Sequence, residues 1–375
     1  MTTLTDTDPT TEPASTTGHA TWSLGIATYN RHEVLIQCLK LAAAQTRLPK
    51  EIAVVDASND WERTRDVVLN ELAPRHPEIQ WIYEQARRPS AAVQRNQAAE
   101  ITSADVVFLI DDDSFMYPDT AEELMKVYDA DQRKQVAGVA MVLAAKPPSE
   151  AEDEKAVEEI EAARVAPTVK NYSPVVKAIR KLLDADNLFV PYDEDFPNHP
   201  VPESVKHLRV GTRELMAGMT MTARREWVLE DRFSEILADR GPEDSDVSYR
   251  LSRRGAVLTA LNAKLFHVGS PAGRFSSYSR EALGMIGPIV LHRFYSTDLE
   301  RSRRATRKML RRRMLIGLAK DIKSKEFDLP RFRGARFSLS YLDRILAMST
   351  DEIEAWYPQF QKDVIAGDNM RGTKK

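Results

Sequence analysis

Residues 106–118, VVFLIDDDSFMYP, run from five apolar residues into three consecutive aspartates and straight back into apolar sequence. Val106 to Ile110 is a β-type run. Adjacent carboxylates at its end repel one another, and a buried strand beside them makes their charge costlier still. Two readings compete for Asp111, Asp112 and Asp113. One is an acidic turn with solvated charges. The other is a set of hard oxygen ligands neutralised by a divalent cation, for which carboxylates suit Mg2+ or Mn2+, ions that complete their shells with water and substrate phosphate. No His or Cys stands close by in sequence, which argues against zinc.

Outward from this run, apolar strands alternate with helical patterns. WSLGIATYN (22–30), EIAVVDASND (51–60), IQWIYEQ (79–85) and ADVVFLIDDD (104–113) read as strands that end in polar residues. Between the first two, Asn30 and Glu33 stand at capping-box spacing, and Val34, Leu35, Cys38, Leu39, Leu41 and Ala42 recur at helical spacing. SAAVQRNQAAEIT (90–102) predicts a further helix. Near-continuous apolar strands alternating with helices predict a parallel, doubly wound α/β sheet, whose ligands bind beyond the carboxyl ends of the strands. Thr28, Asp56 and the aspartate run all fall there.

The chain has 375 residues, 42% hydrophobic and 29% charged, with a formal net charge of −3. That size predicts one large domain with an appendage, or two domains. The balance of charge excludes a general nucleic-acid binder. A lone cysteine, Cys38, excludes an intramolecular disulfide and fits a reducing compartment. Residues 1–20 read as a disordered leader rather than a signal peptide, and no apolar run reaches the roughly 20 residues of a membrane span. A cytoplasmic protein is expected. Residues 149–208, acidic first and then proline-punctuated, read as an insertion or lid over residues 21–290, and 291–375 as a basic helical extension.

Other positions carry chemistry of their own. Asp56 follows a strand and can accept hydrogen bonds from a base or ribose, or cap the next helix. In GPEDSDVSYRLSRRG (241–255), Glu243, Asp244 and Asp246 precede a helix; they are either dipole-stabilised acids or hold a general base against a bound donor. His267, in LFHVGSPAGR (265–274), is either a structural hydrogen-bonding residue or a ligand. Arg274, with Gly269 and Ser270, is a candidate for binding phosphate.

Six motifs in order, SLGIATYNR, IAVVDASND, SAAVQRNQAA, VVFLIDDDSFMYPD, MAGMTMTARREWV and PEDSDVSYRLSRRG, resemble glycosyltransferase family 2 over roughly residues 21–270. The resemblance implies the A-type glycosyltransferase fold, a Rossmann-like mixed sheet with flanking helices, here with a helical C-terminal extension. It implies an inverting, metal-dependent transferase that moves a sugar from a nucleotide diphosphate, UDP by family habit, to a hydroxyl acceptor in one displacement. Thr28, Tyr29 and Asp56 resemble nucleoside contacts, and Arg95 the arginine on the nucleotide side. Asp113 resembles the metal-binding acid, with Asp111 and Asp112 reaching the ribose or the ion. Asp244 resembles the catalytic base, with Glu243 beside it. Gly218 and Met219 resemble the floor of the sugar pocket, and His267 an additional metal or diphosphate ligand. Mn2+ or Mg2+ is the implied cofactor, and the acceptor is a glycan, glycolipid or small natural product.

Two alternatives remain at this level: a sugar nucleotidyltransferase, and a non-catalytic sugar-nucleotide-binding protein of the same fold. GIATYNRHE lacks the glycine-rich loop that the first would carry. Residues 301–320, RSRRATRKMLRRRMLIGLAK, hold nine Lys/Arg and no acid, with Ala305, Met309, Leu310, Met314 and Leu318 as an imperfect apolar stripe. This segment is a packed helix with a solvated basic face, a peripheral contact with anionic membrane, or a site for an anionic acceptor or a partner subunit, including a second copy.

Overall fold

The computed structural model describes residues 19–149, 189–237, 241–269 and 276–372. Residues 1–18 of the expected leader, 150–188 of the expected insertion, and Arg274 lie outside these. The chain opens with β1 (Trp22–Thr28), α1 (His32–Ala43), β2 (Glu51–Asp56), α2 (Trp61–Val67) and β3 (Gln80–Gln85). α3 (Ala91–Ile101) then leads into β4 (Val106–Leu109). β1 pairs in parallel with β2 and β4, and β2 with β3. Every residue of β2 and β4 is buried, because helices cover both faces of this part of the sheet.

The remaining strands make the sheet mixed. β5 (Ser114–Met116), α4 (Thr120–Ala130) and β6 (Val136–Leu143) are followed by β7 (Val210–Thr212), β8 (Met221–Arg224), α5 (Arg225–Glu230), α6 (Glu243–Ser252) and β9 (Ala256–His267). The order across the sheet is β3-β2-β1-β4-β8-β6-β9-β5, with β7 on β9. β8 enters antiparallel to both β4 and β6, so strand alternation alone predicts only the β1–β4 half correctly. The mixed sheet is the one implied by the family resemblance.

Two apolar layers flank the sheet. On one side α1 and α4 pack Leu35, Leu39, Leu124 and Tyr128 against Leu24, Ile26 and Phe108. On the other, Ala98 and Ala99 of α3, Val228 of α5 and Val247 and Leu251 of α6 meet Val107, Leu109 and Ala223. A third cluster is helical, built from α7 (Ser277–Tyr295), α8 (Leu299–Lys323), α9 (Pro330–Ala347) and α10 (Thr350–Gly372). Tyr249 belongs to this third cluster while Val247 and Leu251 belong to the sheet, so α6 is gripped from both sides.

The capping box expected at Asn30 is absent. Asn30 adopts a left-handed conformation (φ 52°) and donates its backbone N–H to Ser58 Oγ at 2.7 Å. α1 starts after Arg31 instead, with no side-chain cap. That backbone turn sends the Arg31 guanidinium to the aspartate run.

Where the β4–β8–β6 strands meet α4, Asp131 is fully buried and accepts from the backbone N–H groups of Gln135 and Val136 and from Arg224 Nη2 at 2.7 Å. Arg224 also lies over the rings of Tyr128 and Trp227. Truncating one partner of such a pair strands the other charge. Arg224→Ala is therefore expected to cost roughly 3–5 kcal/mol, read as a lower urea midpoint, and a change under about 1 kcal/mol contradicts this account.

Candidate active site

The aspartate run is the segment in which the chain leaves β4 and crosses to β5. Ala27 of β1 forms an isolated parallel bridge with Asp111, and beyond the run Ser114 pairs with His267 at the end of β9. Val268 N–H donates to the Asp113 carbonyl at 3.0 Å, which ties this crossing to the β9 end. The run itself is a turn, closed by Ser114 N–H donating to the Asp111 carbonyl at 3.1 Å, and Arg31 Nη1 lies 3.5 Å from Asp113 Oδ2 as well as reaching Asp112. Asp112 is buried, accepting from Thr28 Oγ1 at 2.7 Å and Arg31 Nη1 at 2.8 Å. Burial pushes its carboxyl up to about 6, against the pull of Arg31 and with Asp113 adding to the rise.

Asp111, Asp113 and His267 converge, with one ligand atom from each within 4.8 Å of the others. His267 Nε2 is 3.1 Å from Asp113 Oδ1 and 3.7 Å from Asp111 Oδ2. Burial lowers the imidazolium's proton affinity, but Asp113 and then Asp111 outweigh it and hold the group above its ordinary value. Two carboxylates and an imidazole form a donor set that accepts a divalent ion, and the carboxylates favour Mg2+ or Mn2+. The residues fit the metal that the resemblance implies.

Arg95 joins this cluster to a second acidic pair. Its guanidinium is buried and donates from Nη2 to Asp111 Oδ1 at 2.7 Å and from Nη1 to Glu243 Oε1 at 3.4 Å. Burial alone would lower its pKa, but Asp111, Glu243 and Asp244 together raise it. Gly218 admits the guanidinium, since a Cβ there would lie 2.7 Å from Arg95 Nη2. On α6, Asp244 is fixed by two backbone donors, Gly218 N–H to Oδ2 at 3.1 Å and Ser245 N–H to Oδ1 at 2.7 Å. Burial, and then the neighbouring Asp244, push the Glu243 carboxyl up to about 7.

Asp111, Asp112, Arg95, Glu243 and Asp244 line one cleft of about 1290 Å3, with Asp113 buried behind Asp111 at 2% exposure. Thr28, Tyr29 and Arg31 from the β1 end share that lining with Gln94 of α3 and Ser245 of α6. Arg280, Arg313, Lys320 and Arg331 of the helical region line it too. Asp56 is 1% exposed, and its oxygens are taken by Tyr83 Oη at 2.5 Å and Ser58 N–H at 2.7 Å. Met219 is placed by its carbonyl, which accepts from Ser114 Oγ at 3.2 Å.

The sequence singles out Arg95 but not the neighbours that hold its helix. Gln94, Arg95, Asn96 and Gln97 are four consecutive buried polar side chains on α3. Gln94 Nε2 binds the carbonyls of Thr28 and Val55, each at 2.8 Å, and so pins the ends of β1 and β2. Asn96 pairs with both backbone groups of Phe233, and Gln97 with Gln85 and Arg87. The signal was available: a polar quartet inside an alanine-rich helix must satisfy each member separately. Arg31 was missed because it sat beyond the presumed cap.

The mixed sheet with flanking helices and a helical C-terminal region matches the A-type glycosyltransferase fold that the resemblance implies. Residues 23–189 match the family model described as Glycosyl transferase family 2, which bears out the family resemblance over the stretch that carries β1 to β6 and the aspartate run. No curated protein matches the chain. Similar solved structures include GalNAc-T7 with UDP, GalNAc and Mn2+ (14% identity, TM-score 0.46, 68% of this chain), of which this chain spans 45%. They also include the mannosyltransferase PcManGT from Pyrobaculum calidifontis in complex with GDP-Man and Mn2+ (13% identity, TM-score 0.46, 90% of this chain and 88% of that one). A third is S. aureus TarS 1–349 (13% identity, TM-score 0.47, 93% of this chain and 88% of that one).

Two outcomes follow from the geometry. Gly218→Ala displaces the Arg95 guanidinium and is expected to lower turnover at least tenfold or so with little change in unfolding midpoint. Glu243 binds a proton more tightly folded than unfolded, so it weakens the fold as pH rises from its unfolded value to about 7. Without ligand, Glu243→Gln should therefore gain urea resistance over the natural protein at pH above 7 and lose that advantage near pH 4.5; a pH-independent difference would refute the assignment.

Proposed function

We propose that the protein is an inverting glycosyltransferase that transfers a sugar from a nucleotide-diphosphate donor, a UDP-sugar, to an acceptor hydroxyl, with Asp244 as the base. The observation that carries this reading is one buried cation, Arg95, bonded to Asp111 of the Asp111–Asp113–His267 cluster and to Glu243 beside Asp244, with Asp111, Glu243 and Asp244 lining a single cleft.

Thr28, Tyr29 and Asp56 stand at the strand ends, where a nucleoside is to lie. Asp56, buried with its oxygens taken by Tyr83 and Ser58, meets a nucleoside only by exchanging one of those bonds. Asp111, Asp113 and His267 are the residues to hold Mn2+ or Mg2+, which when bound offsets the charge growing on the departing nucleotide diphosphate. Arg95 keeps the Asp111 carboxylate aimed beside the donor. Arg274, outside the described residues, is proposed as a further phosphate contact.

Asp244 cannot rotate freely, because Gly218 and Ser245 N–H groups hold both its oxygens. From that position it takes the proton of the acceptor hydroxyl as the new carbon–oxygen bond forms and the bond to the diphosphate breaks. Attack comes from the face opposite the leaving group, so configuration inverts in one displacement. Such a route needs no carboxylate nucleophile. Gly218 and Met219 form the floor against which the sugar rests.

The test is release of nucleotide diphosphate from candidate UDP-sugars with Mn2+, with and without acceptor. Asp244→Asn is expected to lower turnover by about 10²–10⁴ while donor affinity stays within a few-fold. Asp113→Asn and His267→Ala should each weaken manganese-assisted UDP binding by roughly 10–100-fold, measured by calorimetry. Retained configuration in the product, or full activity in Asp244→Asn, would sink the reading.

A further inference from the structure

The basic segment at 301–320 splits into two populations once it is folded. Met309 and Leu310 are buried in the helical core, as the apolar stripe predicts. Around them, arginines on the protein-facing flanks are paired: Arg303 and Arg307 with Asp343, Arg313 with Glu281, and Arg301 with Asp195. These charges are part of the packing of α8.

The outward stripe is different. Arg304, Lys308, Arg311, Leu315, Ala319 and Ile322 are exposed at successive spacings of four, three, four, four and three residues, which is one face of a helix. Between Arg304 and Ile322 that face runs about 27 Å, and it continues into the turn through Lys323, Lys325 and Phe327. Leu315 is 57% exposed, Ile322 58% and Phe327 80%. Arg304, Lys308, Arg311, Lys323 and Lys325 have no ion-pair partner among the described residues.

Scattered exposed apolar residues need no explanation, but three on one stripe, flanked by unpaired cations, do. A solvated face gains nothing from Leu315, Ile322 and Phe327. A second copy of the chain would set cation against cation. An anionic bilayer satisfies both features, since apolar side chains enter the acyl boundary while Lys and Arg meet lipid phosphates. We propose that this stripe docks the protein on a membrane surface rich in anionic lipid. Lys320, beside Ala319 at the stripe's edge, also lines the catalytic cleft, so the docking face and the cleft adjoin.

Flotation of the full chain with phosphatidylcholine vesicles, with and without phosphatidylglycerol, tests this. At low salt the protein is expected to float only with the anionic vesicles, and about 0.5 M salt should release it. Two triple variants separate the contributions: Leu315→Ser/Ile322→Ser/Phe327→Ser and Lys308→Gln/Arg311→Gln/Lys323→Gln. Each should reduce bound protein at least roughly tenfold with an unchanged thermal midpoint. The proposal fails if neither vesicle binds, or if both variants bind as well as the natural protein. It also fails if light scattering shows a dimer that the apolar triple dissociates. Vesicle binding and sugar transfer are read in separate assays, so either result stands without the other.

Discussion

A single buried guanidinium organises the site. Five carboxylates, Asp111, Asp112, Asp113, Glu243 and Asp244, are brought to one cleft from two distant parts of the chain. In a low-dielectric setting their mutual repulsion opposes folding. Arg95 bonds to one acid from each group, Asp111 and Glu243, and Arg31 and His267 take up Asp112 and Asp113. Remove the guanidinium and the two acidic groups face one another directly. The conformation of everything around it follows: Gly218 must lack a side chain, and Phe233 lies 5.6 Å from the guanidinium at its ring face.

That cation is in turn held by its helix. On an α-helix successive residues point about 100° apart, so four buried polar neighbours look in different directions. In α3, Gln94 reaches the ends of β1 and β2, Arg95 the acids, Asn96 the Phe233 backbone, and Gln97 the end of β3. α3 thus binds the strand ends to the loop before α6. A polar helix with little apolar surface of its own is kept in place by hydrogen bonds that would each leave a buried donor unsatisfied if broken.

Much of this was legible in the residues. Val106–Asp113 announced an apolar strand ending in acids, and Glu243-Asp244 announced acids at a helix start. What could not be read was which aspartates act together. That depends on the crossing from β4 to β5 and on the pairing of Ser114 with His267, 153 residues later (267 − 114), and no local pattern encodes such a pairing. β5 and β7 are three residues each, too short to show a period. Asn30 misled for a related reason. Its spacing to Glu33 satisfies a local rule, but its backbone is bent to a left-handed turn by the contact with Ser58, and Arg31 gains Asp112 in exchange.

The helical C-terminal region bears on the position of Asp244 as directly as the sheet does. α6 contributes Val247 and Leu251 to the sheet's apolar layer and Tyr249 to the helical core. Two residues beyond Asp244, the fully buried Asp246 accepts from Tyr192 Oη at 2.5 Å and from Arg250, whose guanidinium lies over the Tyr295 ring of α7. Tyr192 in turn meets His292 of α7 edge-on, and burial lowers that histidine to about 4, so it stays neutral at physiological pH and adds no charge beside Asp246. The orientation of α6 is therefore set by two packing surfaces and, on the helical side, by the Tyr192–Asp246 hydrogen bond and the Arg250–Tyr295 contact. Asp244, at its first turn, is held with the precision of that frame, because a helix fixed on both sides cannot roll without breaking one core or the other.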